Sequence, residues 1–135
     1  MRTLTTTITV IALAFIALLV PQSAAAQSAL TVSEASVATG VVDRMPSGVA
    51  TTFPATVGTV YAWTRIEGAE GATTIHHVWI HGDVERADQA LNVGGSPWRT
   101  WSNKTIPAEW TGAWRVEVRD AAGNVLETMR FSVGD

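Results

Sequence analysis

The sequence predicts an all-β protein: a single antiparallel β-sandwich of immunoglobulin-like type, with about seven or eight strands. Short runs rich in Val, Ile, Thr and Trp dominate the chain after residue 27. Gly, Pro, Asn and Asp separate these runs at regular intervals, and the periodicity of an amphipathic helix is scarce. A small closed barrel is the alternative arrangement for the same strands.

The first 26 residues have the layout of a secretory signal peptide. Arg2 supplies one positive charge, and the apolar run Ile8–Val20 follows it. Small residues occupy the two positions that a signal peptidase reads, Ala24 and Ala26. The apolar run is short for a membrane span, so we expect cleavage after Ala26 and no stable membrane insertion afterwards. An uncleaved N-terminal anchor is the alternative, since the positive charge is weak.

Composition limits the functions open to the remaining domain, residues 27–135. Arg2 is one of the nine Lys and Arg residues, so the twelve Asp and Glu leave the mature domain distinctly acidic. This charge argues against binding to nucleic acid or to anionic membranes, which both depend on basic surface. There is no cysteine, so disulfides, thiol chemistry and zinc–cysteine sites are excluded. The chain length suits one domain with one core.

The predicted strands follow one another with short turns between them. Turns are expected at 68–72, 81–83 and 94–97, and longer connections at "VVDRMPSG" and "IPAEWTG". The strands expected before the C-terminal region are Leu30–Ala38, Phe53–Val57, Val60–Ile66, Thr74–Ile80, Arg86–Val93 and Trp98–Lys104.

The C-terminal region predicts a β-hairpin. In "WRVEVRD", apolar residues alternate with charged ones, which places one face in the core and the other in water. "AAGN" then reverses the chain, with Gly123 available for a positive φ. In "VLETMRFSV", Met129, Phe131 and Val133 share a face. We therefore expect the strand holding Val116 to pair with the strand holding Phe131.

The strand "TIHHVWI" lacks a polar face. Ile75, His77 and Trp79 lie on one side, while the residues between them are also bulky. Such a strand is either covered on both faces or exposes an aromatic stripe.

Five stretches of the chain resemble a bacterial family of domains of unknown function, DUF2914. They are "VVDRMP", "VYAWTRIEGAEG", "IHHVWIHG", "GGSPWRTWSNKTI" and "GAWRVEVRDAAGNVLETMRFSV", which together span about residues 35–133. The family has no established activity. The resemblance implies the domain limits and a module of exported or membrane-attached bacterial proteins.

The stretch "SPWRTWSNK" is the strongest candidate for a binding surface. On a strand, Arg99, Trp101 and Asn103 share one face, and Trp98 lies on the other. A Trp ring beside a guanidinium and an amide suits a sugar ring or a carboxylate. We expect His77 and Trp79 to extend this face. In the structural alternative, the Trp residues fill the core and Arg99 covers a ring or pairs with a carboxylate.

Metal and catalytic chemistry find weaker support in the sequence. His77, His81 and Asp83 could contribute to a zinc site, but no spacing suggests a fourth ligand. Ser102 and His77 could form a nucleophile and base, but no glycine-flanked serine is present. We therefore expect no cofactor, no metal and no enzymatic activity.

Two functions remain open for the exported domain, periplasmic or secreted. The first is a non-catalytic envelope module that binds a glycan, peptide or protein partner through a Trp/Arg/His face. The second is a structural or assembly domain that packs on another envelope protein and takes no small ligand. A large exposed apolar patch would favour assembly, and a concave site with Arg beside Trp would favour ligand binding.

If the signal peptide is removed as expected, the exported protein begins at Gln27. Intact-mass analysis of protein exported from a bacterial host measures this directly. Retention of all 135 residues would contradict cleavage.

Overall fold

The computed structural model describes residues 29–134, which form nine β-strands in two sheets. The signal peptide predicted at residues 1–26 and its expected cleavage point lie outside the described residues. The strands are β1 (Thr31–Val42), β2 (Met45–Val49), β3 (Thr52–Phe53), β4 (Gly58–Glu67), β5 (Thr73–His81), β6 (Val84–Val93), β7 (Trp98–Ile106), β8 (Gly112–Arg119) and β9 (Val125–Val133). Within the described range, no helix is long and apolar enough to cross a membrane.

The two sheets pack as a β-sandwich, as predicted, and neither closes into the alternative barrel. The first sheet has the order β2-β1-β4-β7, and the second has the order β3-β9-β8-β5-β6. All pairings are antiparallel except the short one between β3 and β9. Strand β7 forms an edge of the first sheet, which places its residues beside the rim of the sandwich.

The C-terminal hairpin confirms the predicted pairing. Val116 lies opposite Met129, and Trp114 lies opposite Phe131. All four side chains are buried in the core between the sheets. The turn is held by Asp120, whose carboxylate accepts hydrogen bonds from the backbone N–H groups of Ala122 and Asn124 at 3.0 and 2.9 Å.

Strand β5 is covered on both faces, the first of the two expected alternatives. Its inner face packs against the core, and Val78 and Ile80 on its outer face are also buried. Val78 lies between Asp88 and Glu117 of the neighbouring strands. Arg115 of β8 lies opposite Ile80, and the methylene stem of an arginine covers apolar neighbours while its charged end stays in water.

The region around "VVDRMPSG" differs from the prediction, which treated it as a long connection. Strand β1 continues to Val42, and a two-residue turn at Asp43 and Arg44 leads directly into β2. Both turn residues have positive φ, 50° and 63°. Two-residue hairpin turns require that conformation, but they usually take it with Asn or Gly. The turn was missed because its residues lack that signature.

The strand predicted at Phe53–Val57 is also wrong in extent, because only Thr52–Phe53 is extended. Pro54 begins a turn in which the N–H of Val57 donates to the Pro54 carbonyl at 2.9 Å. Strand β2, which matches no predicted strand, brings the number within residues 29–134 to nine, above the seven or eight expected.

Trp114→Ala should lower the free energy of unfolding by about 3–5 kcal/mol, as large core truncations do. Trp114 is buried, stacks on Phe131 with ring centroids 5.9 Å apart, and donates its indole N–H to the Trp110 carbonyl at 3.0 Å. Urea unfolding followed by circular dichroism measures the change. A loss below about 1 kcal/mol would mean that the ring does not anchor the core.

Candidate functional site

Strand β7 divides its two tryptophans as the sequence predicted. Trp98 packs against the hydrophobic core, whereas Trp101 lies half-buried on the outer face of the first sheet. Arg99 and Asn103 flank Trp101 on that outer face, with Arg99 half-buried and Asn103 exposed. Three of the five predicted binding residues are therefore neighbours on one surface.

The adjacent strand β4 supplies the other half of this surface. Across the β4–β7 ladder, Arg65 pairs with Arg99, Trp63 with Trp101, and Tyr61 with Asn103. Tyr61 and Arg65 are half-buried, and Trp63 is fully buried. We call the six residues of these three pairs the β4–β7 face.

The β1–β2 hairpin lies against one end of the β4–β7 face. The indole N–H of Trp63 donates to the Arg44 carbonyl at 3.0 Å, which fixes the turn above the sheet and buries the Trp63 ring. The Arg99 guanidinium contacts the Met45 sulfur at 3.2 Å, a weak acceptor that leaves most of its donor capacity unused.

A cavity of about 430 Å³ lies between the hairpin and the sheet. Its volume falls in the range of small-ligand sites. The residues that line it come from β1, the β1–β2 hairpin, β4 and the start of β7: Glu34, Arg44, Met45, Trp63, Arg65, Pro97, Trp98 and Arg99.

The cavity is positively charged although the protein is acidic. Three guanidinium groups line it, those of Arg44, Arg65 and Arg99, against the single carboxylate of Glu34. Arg65 lies 3.8 Å from Glu34 and 3.8 Å from Glu67, both at the long limit of an ion pair. Within residues 29–134, Arg44 and Arg99 have no carboxylate within ion-pair distance. The arrangement therefore suits an anionic group.

His77 and Trp79, the other two predicted binding residues, do not belong to this surface. Both side chains are 0% exposed and point between the two sheets from the inner face of β5. The expectation that they extend the binding face is wrong. Because both faces of β5 are bulky, alternation alone did not identify the inward one.

His77 lies in a buried hydrogen-bond network that joins the sheets. Its Nδ1 is 2.7 Å from Ser102 Oγ on β7, and its Nε2 is 3.1 Å from Thr64 Oγ1 on β4. The Trp79 indole N–H also donates to Ser102 Oγ, at 3.2 Å. The Thr64 hydroxyl donates to the Thr100 carbonyl at 3.4 Å.

Only one tautomer of His77 satisfies every member of this network. Since a carbonyl only accepts, the Thr64 proton is committed to Thr100, and His77 Nε2–H must donate to Thr64. Nδ1 then accepts the proton of Ser102, whose oxygen accepts from Trp79. The donors form a continuous chain, an arrangement in which each bond strengthens the next.

The Ser102–His77 pair has the spacing of a nucleophile and its base, but it lies in the core. Ser102 is buried, and burial lowers the pKa of His77 from its usual 6.5 to about 4. Both side chains are closed to substrate between the sheets, so their hydrogen bond holds the sandwich together.

His81 lies at the end of β5, where the sandwich opens. Its ring stacks on Trp114 with centroids 4.6 Å apart, and its Nε2 donates to the Thr111 carbonyl at 2.7 Å. The neighbouring Trp110 ring is covered by Arg86 at 4.1 Å and by Lys104 at 5.5 Å. In the described part of the chain, no group of three His, Asp or Glu side chains could hold a metal ion.

Arg44 and Arg65 are the site residues that sequence reasoning missed. The sequence predicts a longer connection around Arg44, because Asp43 and Arg44 lack the residues that usually identify a tight hairpin. Arg65 lies two residues after Trp63 on the same face of the strand that pairs with β7, so the strand pairing identifies it.

A family model described as "Protein of unknown function (DUF2914)" matches residues 72–133. This match confirms the resemblance to DUF2914 over these residues. The DUF2914 match starts just before β5 and runs through β9, so it contains Arg99, Trp101, His77 and Ser102. The resemblance seen from residue 35 extends further than this match, and Arg44, Trp63 and Arg65 lie before it.

The remaining comparisons add little to the DUF2914 assignment. No curated protein gives a significant match. Among solved structures, a selenomethionine-labelled beta-glucosidase from Kluyveromyces marxianus is similar, with a TM-score of 0.40 and 9% identity. The alignment covers 78% of this chain and 14% of that one. A likeness this distant supports no argument about activity.

The buried network predicts that acid destabilises the protein through His77. The native imidazole stays neutral down to about pH 4, whereas the unfolded one takes up a proton below its usual 6.5. The unfolded state therefore binds more protons between these values, so the free energy of unfolding falls as the pH drops, by about 3 kcal/mol in total.

Urea unfolding of wild type and His77→Asn between pH 7 and pH 4 tests this prediction. His77→Asn should remove the histidine contribution, so its free energy of unfolding should fall less with pH than that of wild type. Parallel pH profiles for wild type and His77→Asn would show that His77 is not the cause.

Proposed function

We propose that this chain is a non-catalytic binding module of the bacterial cell envelope. The signal peptide directs it to the periplasm or outside the cell, and its sandwich is of the immunoglobulin-like type. It binds a glycan, peptide or protein partner through the β4–β7 face and the cavity beside it.

The observation that carries this proposal is the cavity itself. It is concave, it brings Arg99 together with Arg44 and Arg65 under the hairpin, and its arginines have few partners within the protein. Concave sites with a few convergent polar groups are where proteins bind ligands. The revised site comprises Arg99, Trp101 and Asn103 together with Arg44 and Arg65, and it omits the buried His77 and Trp79.

The exposed residues of the hairpin favour the second candidate, an assembly domain. Val42 and Val49 are each 59% exposed, and Met45 beside the turn is also exposed. Such side chains can pack against another envelope protein without any small ligand. In that case Val42→Ser and Val49→Ser should abolish the complex between this domain and its partner envelope protein, measured by light scattering. Arg99→Ala should leave that complex intact.

If the binding module is correct, Arg99→Ala should weaken binding by about 1.5–3 kcal/mol, as expected for a lost charged hydrogen bond. Glycan and peptide arrays probed with the full chain identify a ligand, and titration calorimetry then measures the change. Arg130→Ala is the matched control, because Arg130 is exposed on β9 in the other sheet.

The thermal midpoint of each variant separates binding from folding. Arg99→Ala should unfold near the wild-type midpoint, since its side chain packs outside the core. A variant that fails to fold would identify Arg99 as a structural residue and remove the basis for the proposed face.

A further inference from the structure

We infer that the ligand is an acidic saccharide whose anionic group enters the arginine cavity while its sugar rings lie along β7. This inference rests on the proposed function and specifies the ligand class for the same site. It follows from the charge of the cavity, the conformation of Arg44, the row of groups beyond Arg99, and the state of the nearest sheet edge.

The charge of the cavity selects an anion. Three of the nine Lys and Arg residues in the chain line one cavity, in a protein whose net charge is −3. A guanidinium presents a planar fork of donors that matches a carboxylate or phosphate with two parallel hydrogen bonds. Arg44 and Arg99 have no carboxylate at ion-pair distance among the described side chains, so their forks are open to a ligand.

The backbone at Arg44 supports the same assignment. A non-glycine residue at φ 63° is uncommon, and here it follows a second one, Asp43 at 50°. This conformation is held by the hydrogen bond from Trp63 to the Arg44 carbonyl, and it places the arginine on the wall of the cavity. The two-residue turn accounts for the positive φ values, and its relevance to the ligand is that it fixes Arg44 at the cavity.

The groups beyond Arg99 suit sugar rings. Trp101 and Asn103 follow on the same face of β7, so each lies about 7 Å from the one before. Tyr61, half-buried, lies across from Asn103. Aromatic rings provide apolar area for the C–H faces of a sugar, and an exposed amide offers both donor and acceptor to hydroxyl groups.

The nearest sheet edge disfavours a peptide. Extended peptides add to a free sheet edge by main-chain hydrogen bonds, or their carboxylates enter a nest of backbone N–H groups. On the edge of β7, the Asn103 carbonyl already accepts a hydrogen bond from the Gln89 side chain at 2.7 Å. The cavity offers its charge through side chains instead, which suits a ligand without a pairing backbone.

The test compares two forms of one oligosaccharide with the full chain at low ionic strength. The probes are trigalacturonate and its methyl ester, which keeps the rings and removes the charge. Titration calorimetry should show trigalacturonate binding roughly 10- to 100-fold more tightly than the ester, the advantage expected from charged hydrogen bonds. Added salt should reduce that advantage. Glucose 6-phosphate against glucose distinguishes phosphate from carboxylate as the preferred anion.

Variants assign the effect to the cavity. Arg44→Gln and Arg99→Gln should each remove most of the preference for the charged form, while Arg130→Gln should retain it. Trp101→Ala should weaken the acid and the ester alike, because the ring contacts the sugar and not the charge.

Three results would overturn the inference. If trigalacturonate and its methyl ester bind equally tightly and both depend on Arg99, anion recognition is excluded, while the proposed function as a binding module still holds. Binding of tetraglutamate in place of either saccharide would make the ligand an acidic peptide. If no charged saccharide binds, acidic saccharides are excluded as the ligand class. A ligand found on the glycan or peptide arrays whose binding depends on Arg99 would still support the proposed function.

Discussion

The buried network of Thr64, His77, Ser102 and Trp79 is the constraint on which the arrangement of both sheets depends. It lies among the apolar side chains between the two sheets, and it links β5 of one sheet to β4 and β7 of the other. Apolar contacts tolerate small slides, whereas a hydrogen bond lost in the core leaves polar groups unpaired at a cost of about 1–3 kcal/mol each. The network therefore specifies how the sheets align as well as holding them together.

That alignment determines what the surface presents. Because side chains alternate along a strand, the inward position of Ser102 places Arg99, Trp101 and Asn103 outward. A slip of one residue in β7 would bury the arginine and expose Ser102 and Trp98. The register of β7 that allows Ser102 to hydrogen-bond with His77 is thus the register that produces the β4–β7 face. The core and the candidate site therefore both follow from one strand alignment.

Strand pairing and the inward or outward direction of side chains could be predicted from the sequence where one face of a strand is plainly polar. The C-terminal hairpin and the split between Trp98 and Trp101 follow from alternation alone. His77 and Trp79 could not be placed in the same way, since Val78 and Ile80 on the outer face of β5 are also apolar and buried. Arg44 was missed for a different reason: a turn of Asp43 and Arg44 lacks the Asn or Gly that usually identifies a tight hairpin.

The residues that break local rules are those that shape the cavity. Glycine at position 44 would adopt the turn without strain, yet it would remove a guanidinium from the cavity wall. The Trp63 indole compensates by bonding the turn to the sheet, which fixes the hairpin before any ligand arrives. A cavity whose walls are already in place loses little conformational freedom on binding, so more of the interaction with an anion appears as affinity. The strained turn and the buried tryptophan beneath it therefore act together to shape the cavity.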